Sequence, residues 1–359
     1  MSDGLEGIVA ADTVLSSVDG AAGRLVIRGR SLDEIAGRMS FEAVVRLLFE
    51  GFFADLPEEA GLRRRLGAAR AEVFFDVAAL DRRLTALTDI EALRAYIARL
   101  ADGDDLDTAL RLLAAPAVFT PAILRVRKGL APIAPDPTLG QAADTLRMLT
   151  GAAPGPRRAA ALDSYLVTVC DHGLAASTFA ARVVASTRAG LTSAVLAGLS
   201  GLKGPLHGGA PGPVIAMLDA IGSPERAEGW MTAALARGER LMGFGHRIYR
   251  VRDPRADALK AALHRLDGGD PARLALAEAV EKTALALLHA RRPERRLDTN
   301  VEFYTALLLE ALGFAPDAFT CVFAMGRTAG WIAHAREQLA TGRMIRPEAR
   351  YVGPEPKAA

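Results

Sequence analysis

Apolar residues recur along this chain at the spacing of an α-helix and almost nowhere at the spacing of a strand. Phe41, Val44, Val45 and Leu48 fall at i, i+3, i+4 and i+7, and Gly51 follows as a natural C-terminal stop. Just upstream, SLDE at 31–34 reads as a capping box opening a short helix. Ala- and Leu-rich segments near 59–72, 86–101, 105–115, 140–150, 157–170, 173–188, 226–240, 255–266, 271–290, 301–312 and 325–340 carry the same pattern. The best strand candidate is RLVIR at 24–28, before Gly29. These features predict an all-α fold with a minor N-terminal β-hairpin. The Pro/Gly-rich stretches 129–140 and 151–156 read as surface loops.

At 359 residues, half of them hydrophobic and 24% charged, the chain can bury a sizeable core and has room for two domains. Its 44 basic and 42 acidic residues nearly cancel, so no basic face for nucleic acid is expected. Any anion must be bound by local Arg and His placement. Cys170 and Cys321 are far apart in apolar sequence and form no CxxC pair, which predicts free thiols in a reducing cytoplasm. The N-terminus lacks a basic stretch followed by an apolar run, so no signal peptide is expected. The apolar stretch Leu191–Leu202 is short and interrupted by Thr, Ser and Gly, and no membrane span is expected.

The common cofactor motifs fail one by one. In Gly243-Phe-Gly245 the place of a third glycine is held by Ile248, and no strand precedes it, so a dinucleotide loop is not supported. No GxxxxGK[ST] loop occurs. Ser200 sits in GLSGL, which misses the GxSxG elbow at its last position. The six histidines have no compact ligand spacing, so no metal is expected.

Three histidines stand in unusual surroundings. His207 lies in GLKGPLHGGAPG (201–212), where glycines let a backbone approach a ligand closely. His246 lies in MGFGHRIYRVRDPRA (242–256), with four arginines gathered around Asp253 and a glycine turn. Such a cluster suits a small polyanion or a phosphate-bearing cofactor. His172 follows Asp171 at the start of a helix, where a structural and a functional role weigh about equally. His264, His289 and His334 occupy ordinary helical positions and read as structural. Thr299 and Glu302 stand three apart before an apolar helix. That spacing favours a capping box for Glu302, although a first-turn carboxylate can also serve as a base.

Together these segments resemble the citrate synthase family: LKGPLHGGA (202–210), GFGHRIYRVRDPRA (243–256), NVEFYTALLLEALG (300–313) and FAMGRTAGWIAHAREQ (323–338). The stretches 4–36 and 171–187 are similar as well, and only about 55–160 is poorly matched. The resemblance implies a two-domain helical homodimer, with 1–207 and 307–359 as the large domain and 208–306 as a small domain closing over the substrates. It implies condensation of acetyl-CoA with oxaloacetate and hydrolysis of the thioester, with acetyl-CoA as co-substrate and no tightly bound cofactor. By the same resemblance His207 stabilises the enol, His246 polarises the oxaloacetate carbonyl, and Glu302 is the base. His172, Arg255 and Arg327 hold the 2-oxo acid, joined by Arg346 from the partner subunit. Met242, Gly243, Phe244, Gly245 and Arg250 are the expected CoA contacts.

The chain departs from the family pattern at several points. Glu302 replaces the Asp of most members, although a minority branch also reads NVEFY. Gly173 and Ala175 stand where Glu and Asn are common, and Pro211 and Gly212 replace Asn and Glu. The alternatives these departures keep open are 2-methylcitrate synthase, using propionyl-CoA, and a weakly catalytic paralogue that binds CoA or a dicarboxylate.

Overall fold

The computed structural model describes residues 4, 5, 7–79, 84–208, 211–246, 248–293 and 296–354. Three short strands, β1 (Ser16–Asp19), β2 (Arg24–Ile27) and β3 (Arg30–Ser31), form an antiparallel sheet in that order, with Ser17 opposite Val26 and Ile27 opposite Arg30. The expected hairpin is therefore present and gains a third strand. Among the described residues everything else regular is helical: α1 (Leu32–Ile35), α2 (Phe41–Phe49), α3 (Glu59–Phe74), α4 (Asp89–Ile97), α5 (Leu106–Arg127), α6 (Gln141–Thr150), α7 (Pro156–Val169) and α8 (Ala176–Ser186). There follow α9 (Leu191–Leu202), α10 (Gly212–Ile221), α11 (Ala227–Ala236), α12 (Pro254–His264), α13 (Pro271–Arg291), α14 (Val301–Ala311) and α15 (Phe319–Thr341).

Local chemistry explains many of the helix starts. Ser40, Asp105, Asp253, Asp270 and Asn300 each accept a bond from a first-turn amide, and reciprocal capping boxes open α1 and α4. Gly151, with φ of 86°, closes α6 in the left-handed conformation that glycine adopts without strain.

The core is built around α5 and α15. Gly330 lets α15 lie directly on the end of α7, where its amide donates to Cys170 O at 3.1 Å. A Cβ at Gly330 would stand 2.4 Å from that same oxygen. Trp331 is fully buried, and a Cβ on Gly198 of α9 would reach within 2.7 Å of its indole. This close contact fixes α9, and hence the loop after it that carries His207.

Some expectations need correction. The helix expected near 105–115 runs on to Arg127 through Pro116 and Pro121, because burial on nearly every side outweighs two lost backbone bonds. With a mean hydropathy of 1.5 over its most apolar window, α5 rather than Leu191–Leu202 is long and apolar enough to cross a membrane, yet 83% of that window is buried within the molecule. Leu191–Leu202 is a core helix, as is α10, which was not singled out. The helix expected from 173 starts at Ala176, so His172 sits in the linker between α7 and α8. The 129–140 loop ends against α3: fully buried Arg70 donates to Leu139 O at 2.6 Å and pairs with Asp144 at 2.9 Å.

Candidate active site

The turn at 243–246 and the start of α14 form one unit. Gly243 and Gly245 take φ of 85° and 81°, which side chains rarely adopt, and a Cβ at Gly243 would meet Phe303 at 2.8 Å. Asn300 N donates to Gly243 O at 3.0 Å, Gly245 N to Asp298 O at 2.8 Å, and Asn300 Nδ2 to Gly245 O at 2.7 Å. The segment carrying His246 is thus laced to the residues just before Glu302. On its far side Arg250 N donates to Gly20 O at 2.8 Å, which ties the turn to the N-terminal sheet.

The bonds to His246 assign its tautomer. Nδ1 accepts from Ile248 N and Tyr249 N, both at 3.0 Å, so a neutral ring carries its proton on Nε2. Burial, with the charge of Arg255, holds the ring down at about 4, so it is neutral near pH 7. Arg255 Nη2 lies 3.1 Å from Nε2. With its proton on Nε2, His246 meets the Arg255 N–H donor to donor, so neither group satisfies the other. Asp253 aims the guanidinium, accepting from Arg255 Nε at 3.0 Å and Nη2 at 2.8 Å, while its Oδ2 also takes Val301 N at 3.1 Å.

His172 and Arg327 flank this pair. The ring of His172 is buried, sits edge-on to His246 at 5.9 Å between centroids, and shares a 3.1 Å bond with Tyr249 Oη. Burial, with Arg255 and Arg327 nearby, drives it well below the usual histidine range. Its linker is held by Ser16 Oγ, which donates to Asp171 at 2.5 Å and accepts from Gly173 N at 2.9 Å. Arg327, 1% exposed, donates through Nε to Val169 O at 2.6 Å and stacks on Phe323 at 4.9 Å. Its Nη2 is buried without a hydrogen-bond acceptor. Burial and the neighbouring Arg255 lower it to about 10. A carboxylate would answer an orphaned guanidinium donor of this kind.

Glu302 is the second residue of α14 and is not its cap. The N-cap is Asn300, whose Oδ1 accepts from Glu302 N at 3.0 Å, while Thr299 turns away to bond Glu281. The expected Thr299–Glu302 capping box is therefore absent, which leaves the carboxylate free of that duty. Burial raises it to about 7, with Asp253 adding to the shift and Arg255 and Arg327 opposing it. A carboxyl poised near neutrality suits a general base.

His207 approaches from the other side. Its Nε2 lies 2.8 Å from Ser177 Oγ, and that oxygen also accepts from Trp331 Nε1 at 3.3 Å. Trp331 can only donate, so the Ser177 hydroxyl proton is available to Nε2, an arrangement that suits a ring proton on Nδ1. Burial, with Arg327 and Arg255, holds His207 at about 4, so it too is a neutral donor near pH 7. Ser177 was not singled out in the sequence, since a serine in an Ala-rich helix start gives no signal of its own.

Not every expected residue joins this group. Arg346 is exposed on the irregular segment after α15, where Ile345 N donates to Ser186 Oγ at 3.0 Å. Arg250 is also exposed, and Met242 and Phe244 are half-buried, with Phe244 packed on Phe303 at 5.3 Å. A cavity of ≈ 690 Å³ beside α12 and the start of α13 includes none of the site residues.

Residues 4–348 match the family described as citrate synthase, C-terminal domain. A citrate synthase of Haloferax volcanii is 38% identical over 368 residues, covering 98% of this chain and 95% of the relative. A 2-methylcitrate synthase of Mycobacterium tuberculosis is 36% identical over 371 residues, covering 98% and 90%. Among solved structures, citrate synthase from Thermotoga maritima superposes with a TM-score of 0.86 at 31% identity, over 100% of this chain and 98% of that one. The Thermoplasma acidophilum enzyme, determined as a ternary complex with carboxymethyl coenzyme A and oxaloacetate, gives 0.85 at 28% identity, over 99% and 97%. The chain belongs to the citrate synthase family of condensing transferases.

Proposed function

We propose that this protein condenses acetyl-CoA with oxaloacetate and hydrolyses the product to citrate and CoA. The observation that carries the reading is the pair of donors 3.1 Å apart, His246 Nε2 and Arg255 Nη2, beside the orphaned Arg327 Nη2. A 2-oxo dicarboxylate supplies acceptors for all three. Its ketone oxygen lies between His246 and Arg255, a carboxylate meets Arg327, and His172 completes the pocket.

Glu302 takes a proton from the thioester methyl group while His207 Nδ1–H bonds the thioester oxygen and stabilises the enolate that results. The enolate carbon attacks the ketone carbon of oxaloacetate. Negative charge then develops on an oxygen already facing two fixed donors, which stabilises the transition state more than the ground state. Water finally cleaves the thioester and releases the CoA thiol. Residues 208–306 form the closing domain, which keeps water from the enolate until the carbon–carbon bond is made. In a homodimer, Arg346 of a second copy reaches the dicarboxylate, and the 242–245 turn with Arg250 contacts CoA.

The test is release of the CoA thiol by purified protein with oxaloacetate and either acetyl-CoA or propionyl-CoA. Faster turnover with acetyl-CoA supports this reading, and a clear preference for propionyl-CoA replaces it with 2-methylcitrate synthesis. One methylene in a pocket is worth about 1–3 kcal/mol, so both rates need measuring. No thiol release with either donor, despite ligand binding, overturns both enzymatic readings.

A further inference from the structure

Glu281 sits midway along α13, outside every segment that carries a catalytic group, and its side chain is 7% exposed. Its carboxylate accepts four hydrogen bonds. Oε1 takes Thr299 Oγ1 at 2.7 Å and Arg252 Nη1 at 3.0 Å, and Oε2 takes Tyr304 Oη at 2.5 Å and Lys260 Nζ at 2.9 Å. Four is about the full acceptor capacity of a carboxylate.

The origin of the donors matters more than their number. Thr299 directly precedes the N-cap Asn300, and Tyr304 lies two residues past Glu302, so two of the bonds bracket Glu302. Arg252 directly precedes Asp253, which aims Arg255 and accepts the first amide of α14. Lys260 comes from α12 and also stands over the Tyr304 ring at 5.4 Å. The two cations alone would neutralise a buried carboxylate. The two hydroxyl bonds add direction, one running to the residue before the N-cap of α14 and the other to its first turns.

We infer that Glu281 is a positioning residue: it clamps the first turn of α14 to the 252–255 segment and so sets where the Glu302 carboxylate stands relative to the Arg255 guanidinium. The inference rests on the reading of Glu302 as the base. A glutamate carries one more rotatable bond than an aspartate would, so its backbone needs firm support to hold the carboxylate in one position. A displacement near 1 Å costs on the order of 100-fold in rate.

The test is Glu281→Gln in the full-length protein. Its amide nitrogen cannot accept, so either Arg252 and Thr299 or Lys260 and Tyr304 lose their acceptor. The expected result is a fall in kcat for thiol release of about 10- to 100-fold, with KM for oxaloacetate and acyl-CoA within about threefold of the parent. A lower melting temperature with kcat unchanged at 25 °C overturns the inference, because it leaves Glu281 a structural ion cluster only. Thr299→Val removes one donor at constant shape and guards against a folding failure. It should lower kcat by roughly 3- to 10-fold in the same pattern, and an unchanged kcat counts against the clamp. Amide hydrogen exchange at 300–304 gives a readout independent of turnover. Faster exchange in folded Glu281→Gln supports the clamp, and unchanged exchange overturns it. A parent protein inactive with both acyl donors would sink the proposed function, while the exchange result would still decide the role of Glu281.

Discussion

The two halves of the site are held in different ways. Around His246 and Arg255 the supports are ionic: Asp253 grips the guanidinium, Glu281 gathers four donors, and Arg327 waits with an unanswered N–H. Around His207 they are neutral: a serine hydroxyl, an indole N–H and the edge of Phe323, whose ring centroid lies 6.3 Å away. Under the proposed function the contrast follows the chemistry each half would face. A dicarboxylate brings full charges that must be met, whereas a thioester is neutral until its enolate forms and needs only one well-aimed donor. Glu302 lies within the field of the ionic half, where burial and Asp253 raise its carboxyl while Arg255 and Arg327 restrain it.

That contrast can be broken at Glu302 first. Glu302→Gln should lower kcat by about 10²- to 10⁴-fold, the usual contribution of a positioned base, and leave oxaloacetate binding by calorimetry nearly unchanged. Retained turnover would reduce Glu302 to a first-turn helix residue. Next, Arg327→Met should raise KM for oxaloacetate by roughly 30- to 1000-fold, or about 2–4 kcal/mol, and spare KM for acyl-CoA. Equal effects on both substrates would dissolve the division into two halves.

The pH dependence comes third. A base at Glu302 would work only when deprotonated, and its carboxyl is raised to about 7, so kcat/KM should climb about tenfold per pH unit below that point and level off above it. From pH 7, where half of the carboxyl is deprotonated, down to pH 5 this amounts to a loss of about 50-fold. His207 and His246, both held at about 4, stay neutral through that window and add no second limb. The smallest effect should come from Ser177→Ala. It frees the His207 tautomer and lowers kcat by around tenfold, near the worth of one hydrogen bond, without changing KM for oxaloacetate.

Much of this was legible in the chain. The 3.6-residue stripe gave α2, the SLDE box gave α1, and RLVIR gave the central strand, because each depends on neighbours in sequence. The pairing of His246 with Arg255 also reads from the 242–256 segment, since both lie in that one short stretch. What escaped depends on distant partners. The continuation of α5 through Pro116 and Pro121 is decided by burial, which sequence spacing does not report. The Thr299–Glu302 spacing pointed to a capping box, but Asn300 competes for the same amides and Glu281, 18 residues earlier, captures the threonine hydroxyl. Ser177 and Glu281 look like any serine and any glutamate on a helix. Only the fold shows which donors they meet.

The contact between the N-terminal sheet and the substrate turn has a practical consequence. A Cβ at Gly20 would lie 2.3 Å from Ile248 O, so the bend between β1 and β2 rests directly on the stretch that follows His246. Whatever disturbs that stretch is felt at the bend, whose next residues, Ala21 and Ala22, face solvent. A small fluorophore on a cysteine introduced at Ala22 would therefore sit outside the chemistry yet ride on the element that touches it, turning the sheet into a reporter of ligand arrival.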